Sequence, residues 1–176
     1  MKQLYVIGGT MGVGKSTTCR VLQQKLEHSV FLDGDWCWQA NPFLVTEETK
    51  RMVVDNICYL LNRFLHCSAY RHIIFCWVLH QQSVIDEILA RLDLDNCRVS
   101  AFSLTCTREA LRRRLQGDIA RGLRREDVVE RSLARLPLYA GLSSTLIDTT
   151  HRTPEEAAAA ILRRCQTGSG GGGSLR

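Results

Sequence analysis

The stretch GGTMGVGKS, residues 8–16, lies between the apolar run LYVI at residues 4–7 and a segment with helical periodicity. Residues Gly9 to Ser16 satisfy the Walker A pattern G-x-x-x-x-G-K-[ST] without a mismatch. Glycines let such a turn curl so that successive N–H groups point inward at phosphate oxygens, and the N-terminus of the following helix adds partial positive charge. The stretch therefore predicts a phosphate-binding loop between a first strand and a first helix.

Two side chains of this loop have predicted roles with a nucleoside triphosphate. Lys15 is expected to reach the β and γ phosphates, and the Ser16 hydroxyl to ligate Mg²⁺. The alternative is a glycine-rich turn with a solvated lysine, but the position between strand and helix favours the phosphate loop. The residues predicted to bind nucleotide here are Gly9, Gly12, Val13, Gly14, Lys15, Ser16 and Thr17.

Bulk composition predicts one soluble domain. The chain has 176 residues, of which 45% are hydrophobic and 23% charged. Its eight cysteines are scattered without a CxxC pair, which favours reduced and mostly buried thiols over disulfides or a zinc site. No apolar run approaches the ~20 residues that span a bilayer, and the N-terminus leads into a glycine turn rather than a cleavage site. We expect a cytoplasmic protein without a membrane partner.

Strand and helix patterns alternate along the chain. This alternation predicts parallel strands with helices on both faces, a three-layer α/β/α sandwich. The predicted strands are residues 3–8, 30–32, 72–79, 98–104 and 145–147. Residues expected to cap or open helices are Ser16, Thr17, Thr46, Ser83, Thr107 and Thr153, the last in a capping box with Glu156 behind Pro154.

The sequence lacks the features that mark two other classes of nucleotide-binding protein. GTPases read guanine with an N-K-x-D element, which this sequence does not contain. Motor-type ATPases end a buried strand with a carboxylate that polarises water, whereas the apolar strand IIFCWVLH, residues 73–80, runs into His-Gln-Gln. Both absences favour a different use of the triphosphate.

Carboxylates follow the second predicted strand instead. Asp33 and Asp35 flank Gly34 in the stretch FLDGDWCW. In a doubly wound sheet this strand end lies beside the phosphate loop, where ligands bind. One acid can hold Mg²⁺ through water while the other accepts the proton of an attacking hydroxyl. The alternative is an Asp-Gly turn with solvated acids.

GGTMGVGKS together with LDGD resembles the small P-loop kinases of the nucleoside and nucleotide kinase-like group, which includes shikimate, gluconate and adenylylsulfate kinases, chloramphenicol phosphotransferase and tunicamycin-resistance-type proteins. The resemblance covers residues 1–165 and implies a five-stranded parallel sheet of order 2-3-1-4-5, ATP and Mg²⁺ as cofactors, and a small helical lid. It assigns Mg²⁺ to Asp33 and the acceptor hydroxyl to Asp35. Adenylylsulfate kinases continue LDGD with Asn and a nearby Arg, whereas this chain has Trp36, Cys37 and Trp38. That departure argues against adenylylsulfate as acceptor.

An arginine-rich segment, residues 107–139, is predicted to contain the lid. Its pattern indicates a helix, a break at Gly117, a short basic piece containing Gly122 and a second helix, with the lid at about residues 116–127. Arginines that arrive on closure can stabilise a transferring phosphoryl group. The catalytic candidates are Arg114, expected at the end of the first helix, Arg121, and Arg124 or Arg125, and the alternative of a solvated basic face is preferred for Arg108, Arg112 and Arg113.

Two further pockets are expected at strand ends. By resemblance, the loop after the last strand lines adenine, with Thr150, His151 and Arg152 as candidates, or it is a plain connector. The acceptor pocket is predicted from aromatic residues that can stack on a ring and that could equally be core. Its candidates besides Asp35 are Trp36, Trp38, Phe43, His80, and less directly Trp77 and Gln81.

These features predict a kinase domain at residues 1–165 and a flexible Gly/Ser tail at residues 166–176. The predicted activity is ATP- and Mg²⁺-dependent transfer of the γ-phosphoryl group to a hydroxyl of a nucleoside, nucleotide, antibiotic or similar metabolite. The alternatives are a nucleotide-binding ATPase or regulator that makes no phosphorylated product, and a polynucleotide 5′-kinase. Nucleic acid is disfavoured because no basic run lies outside the lid. A monomer and a homodimer both remain open.

Overall fold

A computed structural model describes residues 1–167 of the chain. Its centre is a five-stranded sheet of order β2-β3-β1-β4-β5, in which every neighbouring pair is parallel. The strands are β1 Lys2–Gly8, β2 Ser29–Asp33, β3 His72–Cys76, β4 Cys97–Thr105 and β5 Thr145–Asp148. The predicted α/β class and strand order are confirmed.

Helices cover both faces of this sheet. They are α1 Lys15–Lys25, α2 Glu47–His66, α3 Gln82–Ala90, α4 Arg108–Ala120, α5 Val128–Arg135 and α6 Pro154–Thr167. Short 3-10 helices follow β2 at Gly34–Trp38 and α5 at Leu136–Gly141. The predicted caps Thr46 and Thr107 each accept a backbone N–H three residues on, and Thr153 forms the expected capping box with Glu156.

The core consists of two layers, one on each face of the sheet. Alternation within β1 divides them, because Tyr5 and Ile7 pack with α1, α4, α5 and α6 whereas Leu4 and Val6 pack with α2 and α3. The central strands β1 and β3 are buried on both faces, as expected of a parallel sheet. This packing fixes the carboxyl ends of β1, which carries the phosphate loop, and of β2, which carries the two aspartates. Strand β3 lies between them.

Two predicted boundaries were wrong. Strand β3 ends at Cys76 rather than at residue 79, because the chain turns at Leu79, which has a φ of 37°. Helix α3 begins at Gln82, so Ser83 lies inside its first turn and caps nothing. Apolar residues continue past the end of β3 and hide the turn from a hydrophobicity pattern.

The predicted helix break at Gly117 was also wrong, since α4 continues through this residue to Ala120. The chain leaves the helix at Gly122, whose φ is 70°. Backbone N–H groups of Gly122 and Leu123 donate to the carbonyls of Ile119 and Asp118 and close the helix end. Arg114 is therefore in the middle of α4 rather than at its end.

Gly117→Ala is expected to stabilise the protein by about 0.5–1 kcal/mol, because glycine inside a helix costs backbone entropy that alanine does not. A Cβ at this position would meet no atom within 4 Å. Gly122→Ala is the matched control, and its positive φ predicts destabilisation by about 1–2 kcal/mol. Urea unfolding of both variants measures the difference. A loss of stability in Gly117→Ala would place the helix end at residue 117 instead.

The last helix extends beyond its predicted end. Helix α6 includes residues 166 and 167 of the predicted tail, and residues 168–176 lie outside the described part of the chain. Among the described residues, none of the eight cysteines forms a disulfide; four of them are buried and four partly buried. Within residues 1–167, no helix is both long enough and apolar enough to cross a membrane.

Candidate active site

The glycine loop joins β1 to α1 and takes the conformation that its sequence predicts. Gly12 and Gly14 have φ values of 80° and 104°, which favour glycine. Gly14 is the N-cap of α1, and no side chain caps this helix, so its first N–H groups remain available to an anion. Gly9 and Val13 have other partners, since the Gly9 N–H donates to the Val78 carbonyl and the Val13 carbonyl accepts from Arg114.

Lys15 folds back over the loop, and its Nζ donates to the Thr10 carbonyl at 3.0 Å. Burial lowers the pKa of this ammonium below its ordinary value, while neighbouring Cys76 and the carboxylates of Asp35 and Asp33 oppose the shift. The loop also rests on α5, because the buried Thr10 hydroxyl donates to the Ser132 carbonyl at 3.1 Å. This last contact joins residues 122 positions apart and was not predicted from the sequence.

The two aspartates after β2 have different partners. The Ser16 hydroxyl donates to Asp33 Oδ2 at 2.6 Å, and the backbone N–H of Asp35 donates to Asp33 Oδ1 at 3.1 Å. Trp77 Nε1 donates to Asp35 Oδ1 at 3.2 Å. Both oxygens of Asp33 are thus held inside the site, whereas Asp35 faces the loop cavity.

The pKa of the Asp35 carboxyl is raised above its ordinary value. Burial is the main cause and the nearby Asp33 charge adds to it, while Lys15, the Trp77 N–H and Arg124 oppose the shift. A carboxylate with a raised pKa is better matched to accepting a proton near neutral pH. Asp33 and Asp35 therefore occupy different environments, as the division of their predicted roles requires.

The residues present fit a magnesium ion of the kind found with bound phosphates. Ser16 and Asp33 bring hydroxyl and carboxylate oxygens together, which are the hard ligands that Mg²⁺ prefers. In residues 1–167, no group of three or more His, Cys, Asp or Glu side chains forms an all-protein metal cage. Mg²⁺ normally keeps several waters and binds one or two carboxylates plus substrate phosphates, so it needs no cage made only of protein side chains.

A cavity of about 370 Å³ lies over the loop and brings most of the predicted nucleotide and lid residues together. Arg121 and Arg124 both line it and both pair with Asp118, at 2.7 and 3.0 Å. Burial raises the pKa of Asp118, but the bonds from Arg124 and Arg121 outweigh it and lower the pKa. Loop residues in its wall are Met11, Gly12, Gly14, Lys15, Ser16 and Thr17.

Arg114 connects α4 to the loop and to the segment after β5. Its guanidinium donates to the Val13 carbonyl at 3.4 Å and to the Thr149 hydroxyl at 3.1 Å. It also donates to the carbonyls of Thr149 and Thr150. Arg114 lines both the loop cavity and a second cavity of about 240 Å³.

The second cavity is the candidate base pocket. Arg152, Thr153, Pro154 and Ala157 line it beside the loop, and a contact of Arg152 with the base stays a prediction. The Thr150 side chain does not line this cavity. Its hydroxyl donates to Asp148 at 2.6 Å and accepts the backbone N–H of Thr107 at 3.0 Å. Thr150 therefore ties β5 to the start of α4.

Thr150→Val is expected to lower the free energy of unfolding by about 1–2 kcal/mol at neutral pH, because it removes a buried hydroxyl with two partners. The Thr150 bonds are also the main cause that lowers the pKa of Asp148 in the folded protein. A lowered pKa stabilises the fold above about pH 4, the unfolded value, and this contribution is lost as pH falls. Urea unfolding should therefore show a smaller difference between variant and wild type at pH 3 than at pH 7. An equal difference in unfolding free energy at both pH values would show that the Thr150 hydroxyl does not lower the pKa of Asp148.

The other predicted acceptor residues do not line the loop cavity, and their rings form two separate pairs. Trp36 is 48% exposed and meets Phe31 edge-on at 5.1 Å between ring centroids. Trp38 packs partly on the α2 and α3 core and lies 4.8 Å from the Phe43 ring, which is 57% exposed. His80 is partly buried after β3, where burial and then Arg135 lower its pKa.

A family model described as an AAA domain matches residues 6–134. The chain belongs to the AAA domain family. Comparison with curated proteins finds no significant sequence match.

Among solved structures, the AAA-domain chain has the fold of small kinases and related proteins. It superposes on the tunicamycin resistance protein of Deinococcus radiodurans with a TM-score of 0.68 and 19% identity, covering 94% of this chain and 96% of that one. A gluconokinase of Sinorhizobium meliloti 1021 gives 0.69 and 14%, covering 95% of each chain. A shikimate kinase of Acinetobacter baumannii gives 0.60 and 22%, covering 96% of this chain and 94% of that one.

Proposed function

We propose that this protein is an ATP- and Mg²⁺-dependent kinase that transfers the γ-phosphoryl group to a hydroxyl of a small molecule. The proposed acceptors are nucleosides, nucleotides, hydroxylated antibiotics or similar metabolites. The observation that carries the proposal is that Lys15 and Asp35 line one cavity, while Asp33, two residues before Asp35, is hydrogen-bonded to Ser16 of the loop. Motor-type ATPases carry their water-polarising carboxylate at the end of a buried strand, whereas β3 of this chain is followed by His80, Gln81 and Gln82.

The loop and Lys15 bind the triphosphate in this mechanism. The uncapped N-terminus of α1 presents N–H groups to phosphate oxygens, and Lys15 exchanges its bond with the Thr10 carbonyl for a phosphate oxygen. Ser16 and Asp33 would hold Mg²⁺, which neutralises charge on the β and γ phosphates when bound. The adenine would lie in the second cavity, beside Arg152 and Pro154.

Asp35 acts as the base. It accepts the proton of the acceptor hydroxyl while that oxygen bonds to the γ phosphorus, and the bond from the γ phosphorus to the bridging oxygen breaks to release ADP. The raised pKa of Asp35 suits this task. Trp36, Trp38 and Phe43 provide the aromatic side against which the acceptor lies.

Arginines from α4 and the connection after it stabilise the transferring group. Arg124 lies close enough to lower the pKa of Asp35 and contacts the sulfur of Met11 in the loop at 3.7 Å. Asp118 holds Arg124 and Arg121 together at the wall of the cavity. We propose residues 116–127 as the lid, with these two arginines turning toward the phosphates on closure while Arg114 stays anchored.

The decisive experiment offers Mg·ATP and a fractionated metabolite extract to the protein and searches by mass spectrometry for a compound that gains one phosphoryl group. Lys15→Ala is the inactive control, and the phosphorylated compound should appear only with wild type. ADP and free phosphate formed in equal amounts without any acceptor would indicate an ATPase. A salt-sensitive phosphorylation of an oligonucleotide 5′-hydroxyl would indicate a polynucleotide kinase.

A further inference from the structure

We propose that Trp77 is the positioning residue of the acceptor site. Its indole N–H holds one oxygen of Asp35, so that the other oxygen is presented to the acceptor hydroxyl. This inference rests on the proposed function, because it assumes that Asp35 is the base. It assigns a specific role to Trp77, which the sequence alone allowed to be either a pocket residue or a core residue.

The sheet brings these two residues together across 42 positions of sequence. Strands β2 and β3 are neighbours, and Asp33 lies in register with Cys76 at their shared carboxyl end. The residues that follow each strand therefore meet, and Trp77 Nε1 lies 3.2 Å from Asp35 Oδ1. Within the described part of the chain, Asp35 Oδ2 has no hydrogen-bonding partner.

Trp77 is itself held rigidly enough to orient another group. Its backbone N–H donates to the Ile7 carbonyl at 3.2 Å, which extends the pairing of β1 and β3 by one residue. Its ring packs against the core layer under α2 and α3. The indole also lies against Gly34, where an added Cβ would come within 2.6 Å of Trp77 Cγ. The glycine between the two aspartates is thus required for the indole to reach Asp35.

A fixed carboxylate matters because proton transfer depends on geometry. Displacing a reacting group by about 1 Å can cost about 10²-fold in rate. Without the N–H bond, Asp35 would rotate among several rotamers in the open cavity. If Trp77 acted only through ring packing, phenylalanine should lower stability by leaving a void but change kcat little. If the indole N–H positions Asp35, Trp77→Phe should therefore lower kcat, which a loss of ring packing alone would not do.

Trp77→Phe is the first test, because it keeps an aromatic ring and removes the donor. We expect kcat to fall by about 10- to 100-fold, the effect of losing a hydrogen bond to a charged group, with KM for ATP within about twofold of wild type. Gly34→Ala should give the same pattern by displacing the indole. Tyr59→Phe is the matched control, since it also removes one polar atom from an aromatic ring, on the exposed side of α2. Equal kcat in Trp77→Phe and Tyr59→Phe would overturn the proposal.

Combining variants separates positioning from plain structural damage. In an Asp35→Ala background, Trp77→Phe should lower the residual rate less than about twofold, because there is no carboxylate left to orient. A further 10-fold loss in that background would show that the ring acts structurally and would overturn the inference. If wild type phosphorylates nothing, the proposed function fails instead.

Tryptophan fluorescence tests the contact without any activity. Asp35→Ala should change the emission spectrum, whereas Asp35→Asn, which keeps an oxygen that accepts from Trp77, should leave it close to wild type. The change caused by Asp35→Ala should disappear in Trp77→Phe. A change that persists would come from Trp36 or Trp38 and would exclude the contact between Trp77 and Asp35.

Discussion

Replacing Asp35 by asparagine is expected to lower phosphoryl transfer by about 10²- to 10⁴-fold, the usual contribution of a general base. The dissociation constant for Mg·ATP should stay within about twofold of wild type, because in the proposed mechanism Asp35 meets the acceptor and not the nucleotide. Removing its charge also removes a carboxylate that repels phosphates, so nucleotide binding has no reason to weaken.

The substitution is conservative in structure, which makes it decisive. Asparagine has the size of aspartate, and its Oδ1 can still accept the Trp77 N–H that Asp35 accepts at 3.2 Å. Single-turnover transfer with enzyme in excess measures the chemical step, and titration with a non-hydrolysable ATP analogue measures binding. Asp86→Asn, at an exposed acid on α3 that bonds Gln82, is the control and should match wild type in both. Equal transfer by wild type and Asp35→Asn would exclude Asp35 as the base.

The sequence predicted most of the fold because the signals for it are local. A loop pattern of eight residues locates β1 and α1, and alternating strands and helices imply a parallel sheet with two covered faces. Errors occurred where a local signal was outweighed by context. Gly117 resembles a helix breaker in sequence, but the helix continues because no positive φ is needed there, and the break falls at Gly122.

The sequence predicted which side chains near a motif lie together, but not which distant residues tertiary structure brings to them. Ser16 and Asp33 were predicted to share a metal site, and they are hydrogen-bonded at 2.6 Å. No pattern in the sequence indicates that Trp77 donates to Asp35 or that Thr10 donates to the Ser132 carbonyl, because both contacts depend on how distant segments pack. The sequence indicated only that Trp77 lies near a strand end. That position did not distinguish a residue of the acceptor pocket from a core residue.

Gly12→Ala is expected to have the largest combined effect on stability and nucleotide binding. Gly12 has a φ of 80°, and a Cβ there would lie 2.6 Å from Leu115 Cδ2 and 2.9 Å from its Cγ. Leu115 is fully buried and cannot move away freely. Left-handed strain and overpacking together predict a loss of about 2–4 kcal/mol in the free energy of unfolding. The loop must shift off α4, so affinity for Mg·ATP should fall by about 10²-fold or more.

Gly14→Ala separates the two causes, because Gly14 has a φ of 104° but a Cβ there would meet no atom within 4 Å. Its loss should be the strain alone, about 1–2 kcal/mol by urea unfolding. The remaining loss of stability in Gly12→Ala is then due to the clash with Leu115. Leu115→Ala relieves that clash, so it should lower the free energy of unfolding less in the Gly12→Ala background than in wild type. Additive losses for this pair, or equal losses for the two glycine variants, would show that α4 does not fix the position of the loop. Nucleotide binding would then depend on backbone conformation alone, with no contribution from the helix that carries Arg114.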